Sequence, residues 1–139
     1  VVSKIVIMVL AMMSLVFADT KSEVERLFQT ASSGEIRFTK LVQPAKDSLA
    51  AMKDSAAKYL VSNLTTTDAR EAQTLTEIYR GIGKAGTLYL IAALNTADKY
   101  QLRTTSRCLA EVKDSTAVDA LLKAATNSDY TVRAEALAA

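Results

Sequence analysis

The chain has no histidine, no tryptophan and one cysteine among its 139 residues. A serine or cysteine nucleophile activated by imidazole therefore cannot be assembled from it. Zinc and most transition-metal sites draw their ligands mainly from His and Cys, so no metal site is expected. A lone Cys108 permits no intrachain disulfide. Proline occurs once, at Pro44, and glycine four times. That is too little turn chemistry for an all-β chain with many tight connections. Nor does charge of one sign dominate. Lys and Arg number 17 against 15 Asp and Glu, a net charge of +2 that falls to +1 without Lys4 and the rest of the first 18 residues. Nucleic-acid domains usually carry a clustered basic excess, so no nucleic acid partner is expected. No cofactor is expected either, and the chain reads as non-catalytic.

Half of the residues are apolar although only 6% are aromatic. The mixture is dominated by Ala and Leu, with Lys, Glu and Thr, and it favours helices because most of these side chains lose little entropy there.

The N-terminus reads as a targeting segment. Lys4 precedes a 14-residue apolar run, Ile5 to Ala18. That length suits a signal-peptide core and falls short of the roughly 20 residues that span a bilayer. Val16 and Ala18 stand at the −3 and −1 positions of a cleavage site, and Asp19-Thr20 turns polar at once. The expectation is a signal peptide over 1–18, a mature chain from Asp19 that is periplasmic or secreted, and no membrane contact after cleavage. A retained anchor and a buried core helix are the alternative readings of the segment.

Residues 19–139 contain a repeat. Glu35-Ile36-Arg37, Asp68-Ala69-Arg70, Gln101-Leu102-Arg103 and Thr131-Val132-Arg133 align, with arginines 33, 33 and 30 residues apart. Each triplet follows a polar turn stretch: Ser32 to Gly34, Thr65 to Thr67, Asn95 to Asp98, and Asn127 to Asp129. Before each turn lies an apolar segment with helical spacing: Val24/Leu27/Phe28, Ala57/Leu60/Val61/Leu64, Leu88/Leu90/Ile91/Leu94 and Val118/Leu121/Leu122. After the triplets come Phe38/Leu41/Val42, Ala72/Leu75/Ile78/Tyr79, Cys108/Leu109/Val112 and Ala134/Leu137. Capping boxes are read at Thr20 to Glu23 and Ser32 to Glu35, and Asp68 and Asp129 read as N-caps. Pro44 is expected to kink or break its helix near Val42. Short helix pairs with one apolar stripe each must stack to bury it, which predicts an α-solenoid.

The fourth unit, Ala117-Val118 through Leu121, the Asp129 turn, then Val132-Arg133 through Leu137, resembles a HEAT-like repeat of the short bacterial type, found also in phycobilisome lyases. The match is close in the fourth unit, fair in the second and third, loose in the first, and covers 20–139. The resemblance implies an all-α, armadillo-type solenoid of about four stacked helix-turn-helix repeats after the signal segment. It implies a protein-binding scaffold with a partner of unknown identity. A small-molecule or chromophore-handling, lyase-like protein is the alternative, as is the repeat portion of a longer enzyme. The last helix stops at Ala138-Ala139 without a polar cap, so the 19–139 array is expected to be C-terminally incomplete.

Proteins resembling this one use the repeated arginine as an internal ladder, so Arg37, Arg70, Arg103 and Arg133 are expected to bond turn acids and carbonyls of adjacent units. Glu35, Asp68, Asp98 and Asp129 are the nearby acids. A basic stripe for an acidic partner is the other reading. The binding surface is expected on the second-helix face, with Lys40, Gln73, Glu77, Arg80, Arg107 and Glu111 exposed and mixed in sign. Gly81-Ile82-Gly83-Lys84-Ala85-Gly86 spells G-x-G-x-x-G, but a dinucleotide site needs a preceding strand and the spacing before it is helical, so it reads as an inter-repeat loop. Cys108 reads as a buried thiol. Tyr100 and Tyr130 are expected to staple turns to helices, and Tyr59 and Tyr89 to be core or half-buried. Asn63-Leu64-Thr65 is a formal glycosylation sequon.

Overall fold

The computed structural model describes residues 19–139, and the expected signal segment lies outside them. Among the described residues there is no strand, and the protein is all-α. Helix α1 covers 19–31. It is followed by α2 (Thr39–Ala51), α3 (Asp54–Leu60), α4 (Ala69–Ile82), α5 (Thr87–Ala93), α6 (Lys99–Val112), α7 (Val118–Ala124) and α8 (Tyr130–Ala138). Short 3₁₀ turns at Ile36–Phe38, Val61–Thr65, Gly83–Gly86 and Ser115–Ala117 join them. None of the described helices is long and apolar enough to cross a membrane.

The turns before α4, α6 and α8 are built the same way. The carboxylates of Asp68, Asp98 and Asp129 each accept two amides of the helix that follows, satisfying donors that the helix itself cannot. Two residues earlier, Thr66, Thr96 and Asn127 accept the amide of that Asp through a side-chain oxygen. Ser33 does the same for Glu35. Glu35 makes no side-chain cap bond, and a 3₁₀ turn precedes α2 instead. At the other end, α2, α4 and α6 stop at a positive-φ residue, Lys53 (49°), Gly83 (70°) and Lys113 (54°). A helix cannot continue through that conformation, which glycine adopts without steric cost. Lys53 also points its Nζ at the Gly81 carbonyl, 3.1 Å away, and so caps the C-terminus of α4.

The even-numbered helices form a layer in which α2 packs on α4, α4 on α6 and α6 on α8. Gly81 sits at the α2–α4 contact, where a Cβ would stand 2.7 Å from that of Ala50. Counted from their Asp caps, α4 and α6 bury matching positions: Ala72 and Leu102, Leu75 and Thr105, Ile78 and Cys108, Tyr79 and Leu109, Ile82 and Val112. One hydrophobic cluster runs from Val24 and Phe28 of α1 through Leu60, Tyr79 and Leu90 to Leu121 of α7. The Tyr79 hydroxyl donates to the Ala57 carbonyl at 2.8 Å, which lets a buried phenol span α4 and α3.

Several expectations need correction. Residues 19 and 20 are already helical, so Thr20 is not an N-cap. The Ser32 hydroxyl donates back to Phe28 O, and the Glu35 amide goes to Ser33, so that capping box does not form. Helix α2 runs unbroken through Pro44, and its buried residues are Ala45 and Leu49, with Leu41 turned outward. Leu88, Val118, Leu122 and Leu137 are exposed rather than part of the core. Tyr130 and Tyr100 are exposed rather than part of the core. The arginine alignment is out of register: the true period follows the caps Asp68, Asp98 and Asp129, 30 and 31 residues apart. Arg70, Arg103 and Arg133 thus fall two, five and four residues after their caps. They do not occupy equivalent places.

Candidate functional site

The even-numbered helices present the polar face on which five of the six expected binding residues are brought together. Most of their charge is spent between helices. Lys46 Nζ of α2 lies 2.5 Å from Glu77 Oε2 of α4. Arg80 of α4 reaches Glu111 of α6 at 3.4 Å. Arg107 of α6 bonds Glu135 Oε1 of α8 through Nε at 2.7 Å and Nη2 at 2.5 Å. The partners are 31, 31 and 28 residues apart, so each cation binds the acid of the next even-numbered helix. Gln73 Nε2 donates to Glu77 Oε1, and Gln43 repeats the arrangement with Asp47 one helix earlier. The hydrogen bond from Lys46, and then that from Gln73, hold the Glu77 carboxyl below its ordinary range. Donating to the Glu135 carboxylate raises the pKa of the Arg107 guanidinium. Lys40 is exposed at the start of α2, apart from these pairs.

The four arginines behave differently from one another. Arg37 pairs with Glu35 at 2.6 Å in its own turn. Arg70 lies over Gly34 of the preceding turn, where a Cβ would collide with its guanidinium, so glycine makes room for it. Arg133 donates to the carbonyls of Asn127 and Ser128, again in its own turn, at 2.8 Å. Arg103 lines a cleft of about 130 Å³ with Thr66, Thr67 and Asp68 of the preceding turn, and its Nε is buried without a hydrogen-bond partner among the described residues. Arg70 and Arg103 do reach back to the neighbouring turn, but by packing. The bonds made by Arg37 and Arg133 are local. A ladder of charged bonds between units is therefore replaced by the cation–acid row one face away. Sequence reasoning missed Lys46 and Glu135 in that row. The signal that could have found them is the 28-to-31-residue spacing of cation and acid.

Cys108 is fully buried, and loss of hydration pushes its thiol up to about 12. A thiol so protected stays protonated and unreactive. The glycine-rich segment closes α4 with Gly81 and Ile82 and forms the 3₁₀ connection to α5 with Gly83–Gly86. Tyr59 and Tyr89 are half-buried against the core, and the Tyr89 hydroxyl donates to Asp54 at 2.9 Å. Asn63 is half-buried within the 3₁₀ turn Val61–Thr65. Among the described residues no three His, Cys, Asp or Glu gather closely enough to hold a metal ion.

No protein-family model matches the chain, and neither a curated protein nor a solved structure does.

Proposed function

We propose that the chain is a HEAT-like α-solenoid that serves as a non-catalytic, protein-binding scaffold outside the cytoplasm. The observation that carries this reading is the row of pairs Lys46–Glu77, Arg80–Glu111 and Arg107–Glu135, which ties successive even-numbered helices in order. Stacking in one direction with a repeated cap is what a solenoid requires, and it yields a broad, preformed surface. On that surface opposite charges neutralise one another, which suits a protein partner of mixed charge better than a polyanion. Gln73 is an exposed member of the face, and Lys40 is exposed at the start of α2. The export part of the reading rests on the 1–18 segment alone.

Two experiments test it. A photo-crosslinking residue at position 40 or 73 of the exported chain should capture the same protein at both positions, and excess unlabelled chain should compete. Equal capture from Lys58, exposed on α3, or no capture at all, would overturn the reading. For export, the mature N-terminus recovered from outside the cytoplasm should be Asp19. An intact 1–139 chain retained in the membrane would refute cleavage.

A further inference from the structure

The odd-numbered side of the fold is not filled evenly. Helices α5 and α7 are both seven residues long, each led by a 3₁₀ turn, and they correspond position for position. Leu90 matches Leu121 and Ala93 matches Ala124, all four buried. Three positions into α5 stands Tyr89, whose ring packs on the core and whose hydroxyl reaches Asp54 of α3. The matching residue of α7 is Ala120. Where an aromatic ring closes the α3–α5 junction, the α5–α7 junction therefore holds only a methyl group. A cleft of about 750 Å³ opens there.

The lining of this cleft is selective. Its apolar part comes from Ile91 and Leu94, the buried Leu102, and Ala120 and Ala124. Polar groups come from Asn95, Thr96, Asn127 and Lys123. Asn127 Oδ1 is engaged by the Asp129 amide, which leaves its NH₂ group as a donor. Among the described residues that line the cleft, Lys123 is the one ionisable side chain, and it joins none of the ion pairs. The size lies within the roughly 300–1,000 Å³ of small-molecule sites, as does the combination of an apolar wall with a few polar groups.

We infer that the α5–α7 cleft binds a small amphipathic carboxylate, its apolar body against Ile91, Leu94 and Leu102 and its carboxylate at the Lys123 ammonium and the Asn127 amide. An anion is favoured because the one charge in the cleft is positive and charge-assisted hydrogen bonds are the strong ones. An apolar body is favoured because Ile91, Leu94, Leu102, Ala120 and Ala124 make up the apolar part of the wall. No residue of the cation–acid row lines the cleft, so it does not depend on which protein that polar face binds.

The test is a residue-resolved NMR titration of the full chain with decanoate, and with decanol as its uncharged counterpart. Decanoate should give saturable shifts at residues 91–97 and 120–127. Lys123→Gln should weaken decanoate about tenfold and leave decanol unchanged. Ala120→Tyr rebuilds the Tyr89 arrangement and should abolish both. Should that variant fail to fold by circular dichroism, Ala120→Leu makes the same test with a smaller side chain. Absence of saturable shifts in this segment, or shifts that survive filling of the cleft, overturns the proposal. Equal loss of decanol and decanoate in Lys123→Gln overturns the carboxylate assignment.

Discussion

Replacing Thr105 by valine should stabilise the protein. Thr105 stands on α6 where Leu75 stands on α4, is fully buried, and its Oγ1 has no hydrogen-bond partner among the described residues. Folding therefore strips water from a hydroxyl and returns nothing, a cost of about 1–3 kcal/mol. Valine keeps the β-branch and nearly the volume, so no cavity opens. The expected gain is about 1–2 kcal/mol, read as a higher urea midpoint at unchanged m by far-UV circular dichroism. Two controls fix the interpretation. Thr105→Ser keeps the hydroxyl and loses a buried methyl, so it should cost about 1 kcal/mol. Ser106→Ala should also destabilise, by about 0.5–1 kcal/mol, because Ser106 Oγ donates to Leu102 O at 2.8 Å. A Thr105→Val protein less stable than wild type by more than about 0.5 kcal/mol would refute the reasoning. It would mean that the hydroxyl has a partner in solution.

The inter-helix pairs should be graded by exposure. A double-mutant cycle on Lys46→Met and Glu77→Gln, with side chains 16% and 29% exposed, should give about 1–2 kcal/mol of coupling. The same cycle on Arg80 and Glu111, 60% and 38% exposed, should give less than about 0.5 kcal/mol and vanish in 1 M salt; equal values would sink the assignment. Calorimetry across pH should show a flat Tm from about pH 5 to 8, since no histidine titrates there. Glu77 is lowered chiefly by Lys46, Asp114 by the Thr116 amide, and Asp129 by the Thr131 hydroxyl. At these sites the unfolded chain binds more protons than the native one, so their stabilisation is full above the ordinary carboxylate range and is lost as pH falls through the lowered values. Glu77→Gln should make that acid decline shallower. At the alkaline end the native Cys108 thiol ionises only near 12, against about 8.5 unfolded, so stability should fall as pH rises through that interval and fall less in Cys108→Ala. Asp98→Ala removes the cap of α6 and should cost about 1 kcal/mol by urea unfolding; no change would show that the turn is held by Thr96 alone.

Helicity was legible because Ala, Leu and the 3.6-residue spacing of Ala72, Leu75, Ile78 and Tyr79 depend only on local pattern. The Asp68 and Asp129 caps were legible for the same reason. Register was not. A recurring arginine draws the eye, yet a side chain that long can reach its own turn or the preceding one from two, four or five residues past a cap, so its spacing says little about equivalence. A cap has no such latitude, because a short carboxylate meets the N2 and N3 amides from one position only. The choice between Leu121 and its neighbours Val118 and Leu122 depends on which side of α7 turns to the core cluster and to α8, and that is a tertiary matter. Pro44 misled for a physical reason as well. Its ring fixes a φ the helix already needs, and the one amide it removes does not by itself stop α2. The face residues Glu77, Arg80, Arg107 and Glu111 were found as a group but misjudged as free, since pairing across 31 residues leaves no mark at helical spacing.

The two sides of the fold carry different constraints. On the even-numbered side each junction is closed by apolar contacts beneath and a cation–acid pair above, so a change in one helix must be answered in the next. On the odd-numbered side α3 carries a 3₁₀ extension that α5 and α7 lack, and Tyr89 in α5 gives way to Ala120 in α7. Such differences are tolerable where α4 and α6 are each also held on both flanks by even-numbered neighbours. A fold of this kind can keep one surface fixed while the other acquires clefts, and the opening beside Ala120 is what that freedom leaves behind.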